Sequence, residues 1–370
     1  MKIVYLVSED WYFWMHRLPI ALEAKANGYE VHLISRRGDF TDKIVSYGIH
    51  FHEFSIDRKN LNPFKEIGKV KEVGKLLRKI QPDILHNVSM KLSLLGTVAS
   101  YFYQKCKIVN SITGLGYLYS NSFFLVRLIR YFFSKFASFY FQRTNALSLL
   151  ENPDDERVFL SSLGLHKDLV KVIPGTGVDL QKFPFTPLKQ DSHLRILCAS
   201  RLLKTKGIVE LSEAIRESKK TNPNILCTLI GKIDAGNPSS LSSEFVKQCE
   251  EEGIWEWKGF TDDVLPYYQK AHLVVLLSYG EGLPVSLLEA MAVGRGVLTT
   301  DVQGCREVVE EGKNGFLVKD KNVEEPVSKL RYLADHLDEL EVLGKHSREL
   351  AEKKFDRKLV NQTILSIYRN

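Results

Sequence analysis

The chain has 370 residues, 44% hydrophobic and 26% charged, with a formal net charge of +6. That length is too great for one comfortable core and predicts two domains of roughly 150–200 residues each. The composition is that of a globular protein, with no low-complexity tract and no internal repeat.

The first apolar run, "IVYLV" (3–7), reads as a core strand, and Glu9 and Asp10 follow too soon for a cleaved signal peptide. Similar runs recur at 30–34, 83–87, 107–111, 146–150 and 170–174, separated by longer helical patterns. Strands alternating with helices predict right-handed βαβ units on a parallel sheet. His86 and Lys91 bracket a strand end and a helix start in "LHNVSMK", where they could meet a phosphate; a lone histidine after a strand is more often structural.

Ile84 to Leu150 contains no Asp or Glu but holds Lys91, Lys105, Lys107, Arg127, Arg130, Lys135 and Arg143. A surface of one sign calls for an anionic partner. Within it lies "YLYSNSFFLVRLIRYFFSKFASFYFQRTN" (117–145), in which nine of residues 122–141 are Phe or Tyr, Phe123 and Phe124 among them. Arg127, Arg130 and Lys135 interrupt it too often for a transmembrane helix. At about 100° per residue they share an arc of roughly 140°, the pattern of a basic-aromatic helix lying on an anionic membrane. The alternative is an aromatic core helix with cations at its edges. Contiguous aromatic clusters argue against nucleic acid as the anion.

A polar stretch near 180–193 with Pro184 and Pro187 reads as a linker, and a second series of strands follows at 194–200, 225–231, 254–259, 273–278 and 296–300. The expected fold class is α/β: two facing, Rossmann-like, doubly wound parallel-sheet domains with a catalytic cleft between them. The expected division is 1–183, 184–350, and a C-terminal helix over 351–370 packing back on the N-terminal domain. The five cysteines lie far apart without a Cys-x-x-Cys pair, as expected of thiols in a reducing cytoplasm.

Strand 194–200 runs into Arg201, with Lys206 and Gly207 before the next helix. A guanidinium fork and a point charge at a strand's carboxyl end suit a diphosphate, although surface charges in a βα loop would look the same. Glu281 follows strand 273–278 in a Gly-Leu-Pro turn, and Glu289 lies in the helix behind it. Glu244/Glu252 and Glu341/Glu349 share that spacing, but only Glu281 and Glu289 sit at a strand's carboxyl end. Carboxylates accept hydrogen bonds from vicinal hydroxyls, so this pair could grip a ribose and a sugar. The backbone N–H groups of Leu283, Val285 and Ser286 could hold a phosphate between them. A solvated turn glutamate and a helix-surface glutamate are the alternative. There is no Asp-x-Asp, and no histidine pair reads as having metal-ligand spacing, so no metal site is expected and the diphosphate needs no obligatory divalent ion.

"SRLLKTKG", "VIPGTGVDL" and the stretch from "GFTDDVLPYYQKAH" through "SYGEGLPVSLLEAMAVGRGVLTTDVQGCREVVEEGKNGFLV" resemble the retaining GT-B glycosyltransferases of family 4. The N-terminal segments "HRLPIALEAKANGYEVHLIS", "PDILHNVSMKLSLLGTVAS" and "NSITGLGYLYSN" are most similar to the branch that builds capsule, O-antigen and lipid-linked oligosaccharides, including undecaprenyl-diphosphate-sugar N-acetylgalactosaminyltransferases. The resemblance implies that Glu289 binds the ribose of a UDP-sugar, Glu281 the sugar hydroxyls, and Arg201 with Lys206 the diphosphate, while Gly282, Leu283 and Val285 line the sugar and phosphates. It also implies a polyprenyl-diphosphate-linked saccharide as acceptor, a place on the cytoplasmic face of the inner membrane, and same-face displacement with retention. Two departures stand out: the first loop is "SEDWYFWMHRL" rather than Gly-Gly, so His16 and Arg17 would take over acceptor or phosphate contacts, and Thr113-Gly114 stands where relatives carry His-Gly. The branch favours a UDP-N-acetylhexosamine donor, with UDP-galactose and UDP-glucose as alternatives. A sugar-nucleotide epimerase, or a glycosyltransferase with a soluble acceptor, is the competing reading.

Overall fold

The computed structural model describes residues 1–56, 63–114, 123–189 and 191–369. The chain forms two compact units, Met1–Thr176 with Val360–Asn370, and Gly177–Leu359.

The first unit is built on a seven-stranded sheet in the order β3-β2-β1-β4-β5-β6-β7. Its strands are β1 (Lys2–Glu9), β2 (Glu30–Arg36), β3 (His50–Glu53), β4 (Ile84–Val88), β5 (Lys107–Ile112), β6 (Leu147–Leu150) and β7 (Val170–Val172), and every pairing is parallel. Continuous apolar runs suit this arrangement because helices cover both faces. On one face Ile3, Tyr5, Val31 and Leu33 pack with Val360, Ile364, Leu365 and Tyr368 of the C-terminal helix Arg357–Arg369; on the other, Val4, Leu6 and Ile34 pack with Val73 and Leu77.

The second unit holds a six-stranded parallel sheet in the order β10-β9-β8-β11-β12-β13. Its strands are β8 (Leu194–Ala199), β9 (Ile225–Ile230), β10 (Glu256–Trp257), β11 (Leu273–Leu276), β12 (Gly296–Thr300) and β13 (Gly315–Val318). The chain enters this unit beside the segment that leaves it: Val178 N–H donates to Phe355 O at 2.8 Å and Arg357 N–H to Val178 O at 3.0 Å. Gly177 makes this approach with φ +61°, and a Cβ there would stand 2.7 Å from Phe355 O.

These are two Rossmann-like sheets of the GT-B type. In each, strand order reverses once, between β1 and β4 and between β8 and β11, and a parallel sheet binds its ligands beyond the carboxyl ends of such strands. Both four-residue edge strands, β3 and β13, escaped the sequence reading. "HFHE" (50–53) carries one apolar residue, too little to register as a strand, and it is the register with β2 that makes it one. Conversely, the run at 254–259 yields only a two-residue strand.

Candidate active site

The loops after β8 and β11 meet across the second unit's reversal point. After β8 the chain makes a 3₁₀ turn, Lys204–Lys206, that ends on Gly207 in the left-handed conformation, φ +67°. A Cβ on Gly207 would stand 2.0 Å from Leu277 O, so only glycine lets this turn lie against the end of β11. Tyr279 N–H and Ser278 Oγ then both donate to Thr205 O, at 2.9 and 3.2 Å. The product of this stitching is a direct ion pair between Lys206 Nζ and Glu281 Oε1, with the two side chains only 18% and 14% exposed. The turn carrying Glu281 is held by its own N–H donating to Gln303 O at 3.2 Å, and by Gly304, where a Cβ would meet Glu281 O at 2.4 Å.

Arg201 leaves β8 on the exposed side and pairs with Asp234 Oδ2 at 3.2 Å. Glu289 lies in the helix Val285–Val293, where Tyr268 Oη donates to its Oε2 at 2.9 Å. Burial pushes the Glu289 carboxyl up to about 7, against the opposing pull of Tyr268, Lys182 and Arg357. The helix starts at Pro284 without an acidic residue in its first turn. The N–H groups of Val285 and Ser286 therefore lack an i−4 carbonyl and carry the positive end of the dipole, beside Gly282 and the buried Leu283. The structure thus joins Lys206 to Glu281, and holds Arg201 on Asp234 and Glu289 on Tyr268.

Two residues of this region were missed. Tyr268 lies in "LPYYQK" and looks like an ordinary helix aromatic; its hydroxyl's partner is far along the chain. Arg295 looks like a surface cation but is fully buried. Its guanidinium donates to Tyr268 O at 2.8 Å, Thr186 O at 2.7 Å, Gln269 O at 3.0 Å and Gly294 O at 3.0 Å, fixing the helices that bear Tyr268 and Glu289. Lack of water lowers its pKa to about 10, so it stays charged at neutral pH.

In the first unit, Arg17 and His16 end the helix Asp10–His16 that follows β1. Arg17 is 2% exposed, and its Nε is buried without a hydrogen-bond partner. His16 packs against Tyr12 with ring centroids 4.5 Å apart and the planes tilted by 42°. Thr113 is partly exposed just beyond β5, and Lys91, at the start of the helix after β4, pairs with Glu66 Oε1 at 2.9 Å. His86, expected to meet a phosphate, is fully buried: Nδ1 meets Tyr368 Oη at 2.5 Å and Nε2 meets Ser111 Oγ at 2.7 Å. Both ring nitrogens are thus committed to partners in the core, and burial with the nearby Arg17 holds the imidazole well below the ordinary histidine range.

The helix Phe124–Arg143 turns Ala137 and Phe141 into the core and Phe124, Leu128, Tyr131, Phe132, Phe136 and Phe139 outward, at three- and four-residue intervals. Phe123 and Phe124 are 76% and 78% exposed, Arg127 and Lys135 are exposed, and Arg130 is half-buried. Residues 117–122 of the expected aromatic stretch lie outside the described residues. No helix among the described residues is long and apolar enough to cross a membrane.

Two Rossmann-like parallel sheets, the second carrying this loop cluster beyond the carboxyl ends of its strands, give the chain the GT-B fold. The family description "Glycosyl transferases group 1" matches residues 180–350, and "Glycosyl transferase 4-like" matches residues 2–143. The chain is thus a glycosyltransferase related to family 4, with kinship to enzymes of capsule and lipid-linked oligosaccharide synthesis. It is 26% identical to the N,N'-diacetylbacillosaminyl-diphospho-undecaprenol alpha-1,3-N-acetylgalactosaminyltransferase of Campylobacter jejuni, over 100% of this chain and 98% of that protein. It is 22% identical to the capsular polysaccharide biosynthesis glycosyltransferase CapM of Staphylococcus aureus, over 99% and 96% of the two chains. Among solved structures it resembles Anabaena Alr3699/HepE in complex with UDP, with a TM-score of 0.80, 18% identity and 99% of each chain covered.

Proposed function

We propose that the protein transfers an N-acetylhexosamine, with retention and without an obligatory metal, from a UDP-sugar to a polyprenyl-diphosphate-linked saccharide at an anionic membrane surface. The observation that carries this reading is the Lys206–Glu281 pair at the β8/β11 reversal point, beside a helix N-terminus and the poised Glu289. Glu289 accepts from the ribose hydroxyls, Glu281 from the sugar, and the helix N–H groups with Arg201 and Lys206 hold the diphosphate. The bond from the anomeric carbon to the UDP oxygen breaks while the acceptor oxygen bonds to the same face. The acceptor's proton passes to the departing phosphate, whose charge the two cations stabilise.

The acceptor side is supported by the end-to-end likeness to an enzyme whose name specifies a diphospho-undecaprenol acceptor. It is supported further by Arg17, whose buried guanidinium provides an unfilled donor for an anion. The outward aromatic and basic face of Phe124–Arg143 suits peripheral attachment, on the cytoplasmic face of the inner membrane, to anionic lipid.

The test is a transfer assay in EDTA with a panel of UDP-sugars and a synthetic polyprenyl-diphosphate saccharide. Product of retained anomeric configuration from a UDP-N-acetylhexosamine is expected. Activity only with added Mg2+ or Mn2+, or hydrolysis of the donor to free sugar, would refute the mechanism; equal transfer to the lipid-free saccharide would refute the acceptor. Sedimentation with anionic liposomes at low salt checks the membrane face, and indifference to them would reject it.

A further inference from the structure

The first unit gathers a second cluster of chemistry-bearing side chains that the glycosyl-transfer reading leaves unused. Glu30 and His32 are two residues apart on β2 and so share one face of the sheet. Parallel pairing places His50 of β3 directly beside His32, and His52 beside Ile34. The spacing along the chain hides what the register assembles: Glu30 Oε1 lies 2.9 Å from His32 Nε2 and 3.8 Å from His50 Nε2. The three ligand atoms all lie within 4.8 Å of one another. A tetrahedral ion with bonds of about 2.0–2.1 Å needs its ligand atoms roughly 3.4 Å apart. Side-chain rotation of about an ångström closes that difference, and Glu30 and His50 are exposed and able to rotate.

The fourth member gives the cluster its direction. His32 is 6% exposed, and its Nδ1 lies 3.0 Å from His52 Nε2. His32 Nε2 holds a proton while it is hydrogen-bonded to Glu30 Oε1 at 2.9 Å; an ion taking that proton's place would take the lone pair of Nε2 and leave Nδ1–H donated to His52. This is the outer hydrogen bond that fixes tautomer and ring orientation in metal-binding histidines.

We propose that Glu30, His32 and His50 form a Zn2+ site at the edge of the first unit's sheet, with water completing the coordination and His52 acting as a positioning residue. Two imidazoles and one carboxylate form a donor set suited to a borderline divalent ion rather than to Mg2+ or Ca2+. The site has no place in the transfer chemistry. Glu30 and His50 open their strands, whereas ligands of parallel sheets bind beyond the opposite, carboxyl ends. Its effect is structural: β3 is a four-residue edge strand, and a shared ion clips it to β2.

The test uses the purified full-length chain, stripped with EDTA and desalted, titrated with Zn2+ by calorimetry and with Co2+ by visible absorption. One equivalent of Zn2+ is expected, and a Co2+ spectrum of a low-coordinate nitrogen and oxygen site. Glu30→Gln and His50→Ala, both at exposed side chains, should each weaken Zn2+ binding at least about tenfold, and His52→Phe should weaken it about 10- to 100-fold. Far-UV circular dichroism and the thermal unfolding of the metal-free chain should match the parent in all three and serve as the fold control, and UDP binding, which belongs to the other unit, should be unchanged. Failure of the parent to bind Zn2+ stoichiometrically, or parent-like binding in both Glu30→Gln and His50→Ala, would overturn the proposal. So would thiolate-to-Co2+ charge-transfer absorption, which would place the ion on a cysteine.

Discussion

Glu289→Gln separates what Glu289 does for folding from what it does for binding. Burial holds the Glu289 carboxyl at about 7 instead of its ordinary 4.5. In the folded chain it therefore keeps its proton between those values, while the unfolded chain has lost its own. The unfolded state binds fewer protons across this window, so stability falls as pH rises from about 4.5 to about 7 and stays low above it. The full difference is about 3 kcal/mol, the cost of ionising the group in place. Glutamine has nearly the same shape, still accepts from Tyr268 Oη, and never ionises. At pH 8 the variant should be more stable than the parent by up to about 3 kcal/mol, a rise of roughly 5–10 °C in the melting of the second unit, and at pH 4.5 the two should coincide. The same variant should bind UDP about 10- to 100-fold more weakly at pH 8, having lost a charged acceptor for the ribose. In the parent, UDP affinity should fall about tenfold from pH 8 to pH 6 as the carboxylate is protonated. Scanning calorimetry and UDP titration across pH 5–8 read both effects. A variant no more stable than the parent at pH 8 would refute the burial argument, and parent-like UDP affinity would remove Glu289 from the ribose.

Lys206→Ala should lower kcat about 10²- to 10³-fold with a much smaller rise in the donor KM, because its charge matters most as UDP departs; the reverse pattern in steady-state kinetics would assign it to ground-state binding. Arg295→Met leaves four main-chain carbonyls without their donor and should cost at least about 3 kcal/mol in urea unfolding, and Arg295→Lys should rescue little of it because an ammonium cannot reproduce the fork. Tyr368→Phe removes the hydroxyl shared by His86 and Tyr5, and should destabilise by about 1–2 kcal/mol while leaving the donor KM unchanged. Arg17→Met should raise the KM for the lipid-linked acceptor and leave UDP affinity alone; an unchanged acceptor KM would take Arg17 out of that site.

Much of this protein is legible in its sequence for simple physical reasons. Buried parallel strands need unbroken apolar runs, so most strands of both sheets announced themselves. The Glu281 turn and the Lys206 loop were visible because each directly follows such a run, and a strand's carboxyl end is where such sheets bind ligands. What the sequence leaves open is set by partners distant along the chain. The aromatic helix Phe124–Arg143 could have been core or surface, and only packing shows which residues face outward. His86 looked available until Tyr368 closed over it, and Arg295 looked solvated until four carbonyls surrounded it. Glu289's proton affinity depends on how far the fold withdraws its carboxyl from water. The Glu30, His32 and His50 cluster exists only because an inconspicuous edge strand pairs with β2 in one register, and a shift of a single residue would turn His50 and His52 to the other face.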